Sequence, residues 1–127
     1  MNHKFCRLPG SELQIMQVLW EGHPEMSRAE IQEIINRDRY LAPTTINSLL
    51  ARLEHKGFVT VRKEGKNNLY TPLVVREEYR SQESRTVLRQ VFDNSLGSFV
   101  TALYGGKKIS QEKLHELEEL VKSLEEE

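Results

Sequence analysis

The chain has little cysteine and no long apolar run, and each shortage excludes a class of protein. Cys6 is the only cysteine, so one chain can form neither a disulfide framework nor a cysteine-rich metal site. No apolar stretch approaches the roughly 20 residues needed to cross a bilayer. The N-terminal residues also lead into no apolar secretory segment. These absences predict a cytoplasmic protein with no membrane insertion.

The sequence also lacks the motifs of catalysis. The four histidines are scattered, no glycine-rich phosphate loop follows a strand, and no His-Glu-x-x-His zinc motif is present. His3 and Cys6 are a pair of potential metal ligands, but a pair without two further ligands does not make a metal site. We therefore expect no enzyme, no cofactor and no bound metal.

What the chain does have is an uneven distribution of charge behind a net charge of −1. Residues 1–76 carry 11 Lys and Arg against 8 Asp and Glu, a balance of +3, whereas residues 77–127 carry 7 against 11, a balance of −4. A solvated surface is the usual explanation of such a difference. It also fits a front half that meets an anionic partner and a rear half with another task.

Three short helices are predicted in the front half. Ser11 with Gln14, and Ser27 with Glu30, have the spacing of a capping box and precede apolar residues at helical spacing. Pro43 suits the first turn of a third helix. The apolar stripe of this third helix consists of Ile46, Leu49, Leu50 and Leu53.

A β-hairpin is predicted to follow the third helix. Gly57 is placed for a left-handed helix C-cap, Phe58–Lys63 and Leu69–Leu73 are short extended segments, and Gly65–Asn68 supplies turn residues between them. Pro72 cannot donate to a strand ladder and should end the pairing. Three helices and a hairpin predict a winged helix-turn-helix, a mainly α fold with a small β-hairpin.

The outer face of the third helix suits a DNA major groove, because short polar side chains allow close approach. Asn47 could make a bidentate contact with adenine, and Arg52 could contact a phosphate or a guanine. The hairpin would lie along the phosphate backbone as a wing, with salt-sensitive contacts that do not select the sequence. The predicted DNA-binding residues are Thr44, Thr45, Asn47, Ser48, Arg52, Arg62, Lys63, Lys66, Asn67 and Asn68.

The rear half is predicted to be a helical arm that joins two copies of the chain. We expect a DNA-binding domain over residues 1–75 and a dimerisation arm over residues 76–127. Leaving the apolar stripes of the arm in water would cost roughly 1.5 to 3 kcal/mol for each side chain, and a two-fold dimer is the commonest remedy. A cap folded back on its own domain is the alternative. The predicted dimerisation residues are Val87, Leu88, Val91, Phe92, Leu96, Phe99, Val100, Leu103, Leu114, Leu117, Leu120, Val121 and Leu124.

Several stretches resemble the penicillinase-repressor (BlaI/MecI/CopY) family of bacterial transcription regulators. They are "LPGSELQIMQVLWEGHPEMSRAEIQEII", "TTINSLLARLEHKGFV" and the "LYGG" at Leu103 to Gly106. The resemblance implies a winged helix with a dimerisation arm, and a homodimer that represses by occupying a palindromic double-stranded DNA operator. It also places the recognition-helix positions on Thr44, Thr45, Asn47 and Ser48. Members that control β-lactam resistance carry Arg where this chain has Asn47, so the resemblance implies DNA binding but does not imply their operator sequence.

The resemblance offers two modes of release from DNA, and the chain matches neither fully. Some members are cleaved in the arm, between Asn and Phe, through the pathway of a membrane sensor protease. The corresponding bond here is Ala102–Leu103, so cleavage of this chain is a hypothesis. Copper-responsive members carry clustered C-terminal cysteines, which this chain lacks. Two other functions stay open: a winged helix that binds protein, and a regulator gated by a ligand between the arm and the wing domain.

Overall fold

The computed structural model describes residues 7–125, with side chains described as far as Ser123. Within this range the chain forms six helices and three strands. Contacts divide it into two units, with the boundary between Ser84 and Arg85. The elements in chain order are α1 (Gly10–Glu21), β1 (Met26–Ser27), α2 (Arg28–Ile35), α3 (Pro43–His55), β2 (Val59–Glu64), β3 (Asn67–Pro72), α4 (Arg76–Phe92), α5 (Leu96–Tyr104) and α6 (Gln111–Glu125).

The first unit is a winged helix-turn-helix, which confirms the predicted fold class. β2 and β3 pair antiparallel from Val59↔Pro72 to Glu64↔Asn67. Gly65 takes a left-handed φ of +62° in the two-residue turn between them, which glycine adopts without steric cost. β3 ends at Pro72, as predicted.

A third strand, β1, was not predicted. Met26 pairs with Tyr70 and Ser27 with Leu69, so β3 lies between β1 and β2. Two residues are too few to show an alternating pattern, and their partner lies more than 40 positions away in the sequence. The prediction of a two-stranded hairpin was therefore incomplete.

The helix signals in the sequence were right for two of the three front helices. Ser27 and Glu30 form the predicted capping box at α2. Pro43 opens α3, and Gly57 follows its end with a φ of +82°. The predicted capping box at Ser11 was wrong. α1 begins at Gly10, with Pro9 at the N-cap and no side-chain cap.

The core of the first unit lies where α1, α2 and α3 meet the sheet. The four predicted stripe residues of α3 are all buried, and Ile46, Leu50 and Leu53 are fully so. Phe58 and Val59 extend this core into β2, and Val74 and Tyr79 extend it to α4. The apolar stripe of α3 is thus used for folding, which leaves its opposite face to water.

The first turns of α4 belong to the first unit. Tyr79 is buried, its hydroxyl accepts a hydrogen bond from the backbone N–H of Leu8 at 2.9 Å, and its ring lies 5.8 Å from that of Trp20. The boundary between the two units accordingly falls after Ser84, within α4.

The second unit consists of the end of α4 together with α5 and α6. Asp93 and Asn94, both with left-handed φ, separate α4 from α5, and Gly105 and Gly106 end α5. Ser110 caps α6, accepting a hydrogen bond from the backbone N–H of Lys113 at 3.1 Å. No side chain from Arg85 to Ser123 is buried within the single chain.

Candidate nucleic-acid interface

The predicted recognition face of α3 is open to solvent. Thr44, Thr45, Asn47, Ser48 and Arg52 are all exposed. They lie opposite the buried stripe, because an α-helix with one apolar side turns its remaining positions outward. None of these five side chains is buried by the described part of the chain, so all five are open to solvent.

A cleft of about 220 Å³ brings α3 together with the hairpin turn. Asn47 lines it from the helix, and Lys66, Asn67 and Asn68 line it from the turn and β3. Four of the predicted DNA-binding residues therefore share one concave surface, although Asn47 is about 20 positions from the other three in the sequence. We call this surface the α3–wing cleft.

Three further residues of the α3–wing cleft come from the start of α2 and were not predicted. They are Ser27, Arg28 and Ala29, with Tyr70 of β3 behind them. The pairing of β1 with β3 places the start of α2 here, and no local pattern along the chain indicates that pairing. The capping box formed by Ser27 and Glu30 marked Ser27 as a helix start. That signal locates the start of α2 in the sequence, but it does not show that this segment lies beside α3 and the wing.

The α3–wing cleft is electropositive. Its eight lining residues include two cations, Arg28 and Lys66, and no carboxylate. Arg28 is half-buried and donates a hydrogen bond to the side-chain oxygen of Gln32 one turn along α2. Lys63 is exposed on β2, and in the described residues no ion pair joins Lys63 or Lys66 to a carboxylate. Free cations beside polar side chains suit an anionic polymer.

Arg62 differs from the other predicted phosphate contacts because it is already paired. Its Nε and Nη2 atoms donate to the Glu25 carboxylate at 2.6 and 2.9 Å, and Nη2 also donates to Glu64 at 2.9 Å. The hydrogen bonds to Glu25, and after them the one to Glu64, raise the pKa of Arg62. The same bonds from Arg62 lower the pKa of Glu25. Glu25 has a left-handed φ of +61°, so Arg62 holds an unusual backbone position just before β1.

The predicted dimerisation residues lie on the second unit and are exposed or half-buried in the single chain. Val91, Leu96, Leu103, Leu120 and Val121 are each more than half exposed. Phe92 and Phe99 pack edge-to-face with ring centroids 5.4 Å apart. The side chain of Leu124 lies outside the described residues, as do His3 and Cys6. Ala102 and Leu103, the hypothetical cleavage position, are exposed within α5.

No helix in the part of the chain that the structure describes is both long and apolar enough to cross a membrane. Among the same residues, no group of three or more His, Cys, Asp or Glu side chains is placed to hold a metal ion.

Comparison with known proteins identifies the family. The penicillinase repressor of Bacillus licheniformis is 27% identical over 118 residues, which cover 93% of this chain and 91% of that protein. The methicillin resistance regulatory protein MecI of Staphylococcus aureus is 25% identical over 121 residues, 95% of this chain and 98% of that protein. These relatives are repressors and not enzymes, in agreement with the sequence prediction.

A solved structure covers the winged-helix part. The monomeric form of Bacillus licheniformis BlaI in complex with the blaP half-operator matches with a TM-score of 0.51 and 30% identity, over 60% of this chain and 92% of that chain. The model of the penicillinase repressor family matches residues 8–123. This chain therefore belongs to the penicillinase repressor family, as its sequence motifs predicted.

Proposed function

We propose that the chain is a cytoplasmic, homodimeric transcriptional repressor that occupies a palindromic DNA operator and leaves it in response to an inducing signal. The observation that carries the proposal is the α3–wing cleft, where Asn47 meets Lys66, Asn67 and Asn68 beside an exposed polar helix face. The BlaI structure that matches this unit is a complex with a half-operator, which supports DNA as the ligand.

The residues have separate roles in the proposed complex. Asn47, Thr44, Thr45 and Ser48 contact base edges and nearby phosphates in the major groove, because they are short and lie on one exposed face. Arg52 follows at the far end of that face. Lys63, Lys66, Asn67 and Asn68 contact the backbone from the wing. Arg28, from the start of α2, adds a cation that the sequence did not suggest.

Arg62 contributes less to DNA binding than its charge suggests. A phosphate would have to replace hydrogen bonds that Glu25 and Glu64 already accept. We assign Arg62 mainly to holding the segment before β1 against the hairpin. This assignment predicts that substitution of Arg62 weakens DNA binding less than substitution of Lys66.

Binding and its salt dependence test the proposal. Duplexes selected from genomic fragments would be titrated with the full-length protein at several salt concentrations, with fluorescence anisotropy as the readout. Lys66→Ala should reduce the slope of log K against log salt by about 0.9, since one phosphate contact is lost, and Arg62→Ala should reduce it less. Asn47→Ala should reduce discrimination at one base position by about 1–3 kcal/mol.

Lys122→Ala, a neutralisation on α6, is the matched control and should leave the slope unchanged. A flat salt dependence of the wild type would contradict the proposal and favour a winged helix that binds protein.

Proteolysis in the arm is one proposed route of release. Ala102 and Leu103 are exposed, but they lie inside α5, so a protease would require local unfolding of this helix. Cleavage there would separate α6 from the rest of the chain. This route implies that the signalling pathway of a membrane sensor protease acts on the arm.

A further inference from the structure

A second cavity, of about 320 Å³, lies on the first unit away from the α3–wing cleft. One wall is α1, with Leu13, Gln17 and Trp20, and the other is the start of α4, with Arg76 and Tyr79 among its residues. All its lining residues fall between positions 13 and 84, and none of them belongs to the predicted DNA-binding set. We call it the α1–α4 cavity.

Arg76 leaves an unsatisfied donor in the α1–α4 cavity. Its side chain is only 25% exposed, and its Nη2 atom is buried without a hydrogen-bond acceptor in the described part of the chain. The Oε2 atom of Glu21 lies 3.4 Å away as an ion-pair partner, but it is not aligned for a hydrogen bond, and the Glu21 side chain is 72% exposed. A buried guanidinium donor without an acceptor is costly, and a carboxylate is its best partner.

The other walls restrict the chemistry of a ligand. Leu13 and the rings of Trp20 and Tyr79 are apolar surfaces. The indole N–H of Trp20 donates to the carbonyl of Val74 at 2.8 Å, which fixes the ring in the wall. An apolar body would pack against these side chains.

The charges of the lining restrict the ion further. Two cations, Arg76 and Arg80, are balanced by two carboxylates, Glu21 and Glu83, so a multiply charged ion of either sign would be repelled. Glu83 is already paired with Arg7 at 2.6 Å, so Glu21 is the carboxylate that a bound anion would displace. A monoanion that replaces Glu21 at Arg76 satisfies both conditions.

From this geometry we propose that the α1–α4 cavity is a binding site for a small monocarboxylate with an apolar, preferably aromatic, body. The carboxylate pairs with Arg76, and the body packs on Leu13, Trp20 and Tyr79. α4 continues from the cavity to Phe92, so the ligand contacts the helix that connects the two units. The site does not depend on the proposed function in DNA binding.

The only tryptophan of the chain lies in this wall, which provides a direct readout. The fluorescence of Trp20 in the full-length protein would be titrated with phenylacetate and, separately, with the neutral phenylacetamide, without DNA. We expect a saturable change for phenylacetate with a Kd below about 10 mM, and an affinity at least about tenfold weaker for the amide.

Two substitutions should move the affinity in opposite directions. Arg76→Gln should weaken phenylacetate binding at least about tenfold, because the anion loses its partner. Glu21→Gln should strengthen it about threefold, because the competing carboxylate is removed. Arg89→Gln, farther along α4 and outside the cavity, is the matched control and should leave the affinity unchanged.

Each contrary result would overturn the proposal. These results are no saturable change up to about 10 mM phenylacetate, equal affinity for acid and amide, or the same affinity in Arg76→Gln and Arg89→Gln. If Arg76→Gln does not fold, as judged by circular dichroism, the comparison of acid with amide and the Glu21→Gln variant still decide. Failure of the DNA-binding experiment would leave this titration unaffected.

Discussion

A single buried charge joins α1 to the end of α3. The Glu12 side chain is 3% exposed, and its Oε1 atom accepts a hydrogen bond from Nζ of Lys56 at 2.6 Å, with the Lys56 side chain 25% exposed. Glu12 is buried in α1, and Lys56 is the C-cap residue of α3. The pair therefore fixes the end of α3 relative to the first helix.

The two partners of this pair should respond unequally to substitution. Lys56→Met leaves a nearly buried carboxylate without its cation and should lower the free energy of unfolding by about 3 kcal/mol, within the usual range for breaking a buried pair. Glu12→Gln leaves an ammonium group that can still reach water, and should cost about 1–2 kcal/mol. Urea unfolding of both variants measures these changes.

The double variant Glu12→Gln with Lys56→Met is the control for the pair. It should be more stable than the sum of the two single changes predicts, by at least about 1 kcal/mol, because it leaves no unpaired charge. Additive losses would show that the ion pair does not couple the two helices.

At the scale of elements, the junction of β1 and α2 is held by a small polar network. Ser27 and Glu30 cap α2, and His23, in the loop before β1, contacts the same carboxylate. The two ring nitrogens of His23 lie 3.1 Å from the carbonyl oxygen of Pro24 and 2.9 Å from Oε2 of Glu30. Both neighbours are acceptors, so the doubly protonated ring is favoured, and the pKa of His23 is raised, first by the Pro24 carbonyl and then by Glu30.

This raised pKa predicts a pH-dependent stability. The contribution of His23 is fully present below its unfolded pKa of 6.5 and is lost as the pH rises through the higher folded pKa. The difference in Tm between the wild type and His23→Gln should therefore shrink as the pH rises from about 5.5 through the raised folded pKa of His23. Thermal unfolding by circular dichroism at several pH values measures it.

Glu30→Gln is the companion variant, because it keeps an oxygen acceptor for the backbone N–H of Ser27 while removing the charge that faces His23. It should weaken the same pH dependence. A His23→Gln difference that stays constant across this pH range would show that the ring does not gain stability from protonation.

At the scale of the whole molecule, the described residues of the second unit form no buried core within the single chain. Its apolar side chains stay exposed or half-buried, with Leu120 and Val121 of α6 each 53% exposed. This exposure supports the proposed dimer, since a second copy would cover these stripes. Joining two winged helices would let both half-sites of a palindrome be bound together.

Charges placed on α6 should therefore break the dimer and weaken DNA binding together. The double substitution Leu117→Glu with Leu120→Glu removes two apolar side chains from each copy, and both copies contribute to a two-fold interface. It should weaken self-association at least about 100-fold, as measured by sedimentation equilibrium. Operator affinity should fall with it.

Glu118→Gln, an exposed change on the same helix, is the matched control and should change neither measurement. A wild-type chain that is monomeric at micromolar concentration would contradict the proposed dimer. Truncation at residue 75 is a poorer test, because it would also remove Tyr79, which belongs to the core of the first unit.

The sequence by itself determined the elements whose cause is local. The spacing of Ile46, Leu49, Leu50 and Leu53 set the inner and outer faces of α3, because helical periodicity assigns each residue to a side. Gly57 ended that helix with a left-handed φ for the same kind of local reason. The exposed polar face of α3 followed from these two signals.

Only the tertiary structure decided the features that depend on contacts between distant segments of the chain. The pairing of β1 with β3 placed Arg28 in the α3–wing cleft, the ion pair with Glu25 engaged Arg62, and the packing of Tyr79 gave the first turns of α4 to the winged-helix unit. Each involves partners more than 35 residues apart in sequence, where periodicity and capping carry no information. Such contacts form because buried apolar side chains and paired charges stabilise segments that lie close together in space. The order of residues along the chain does not show which segments these are.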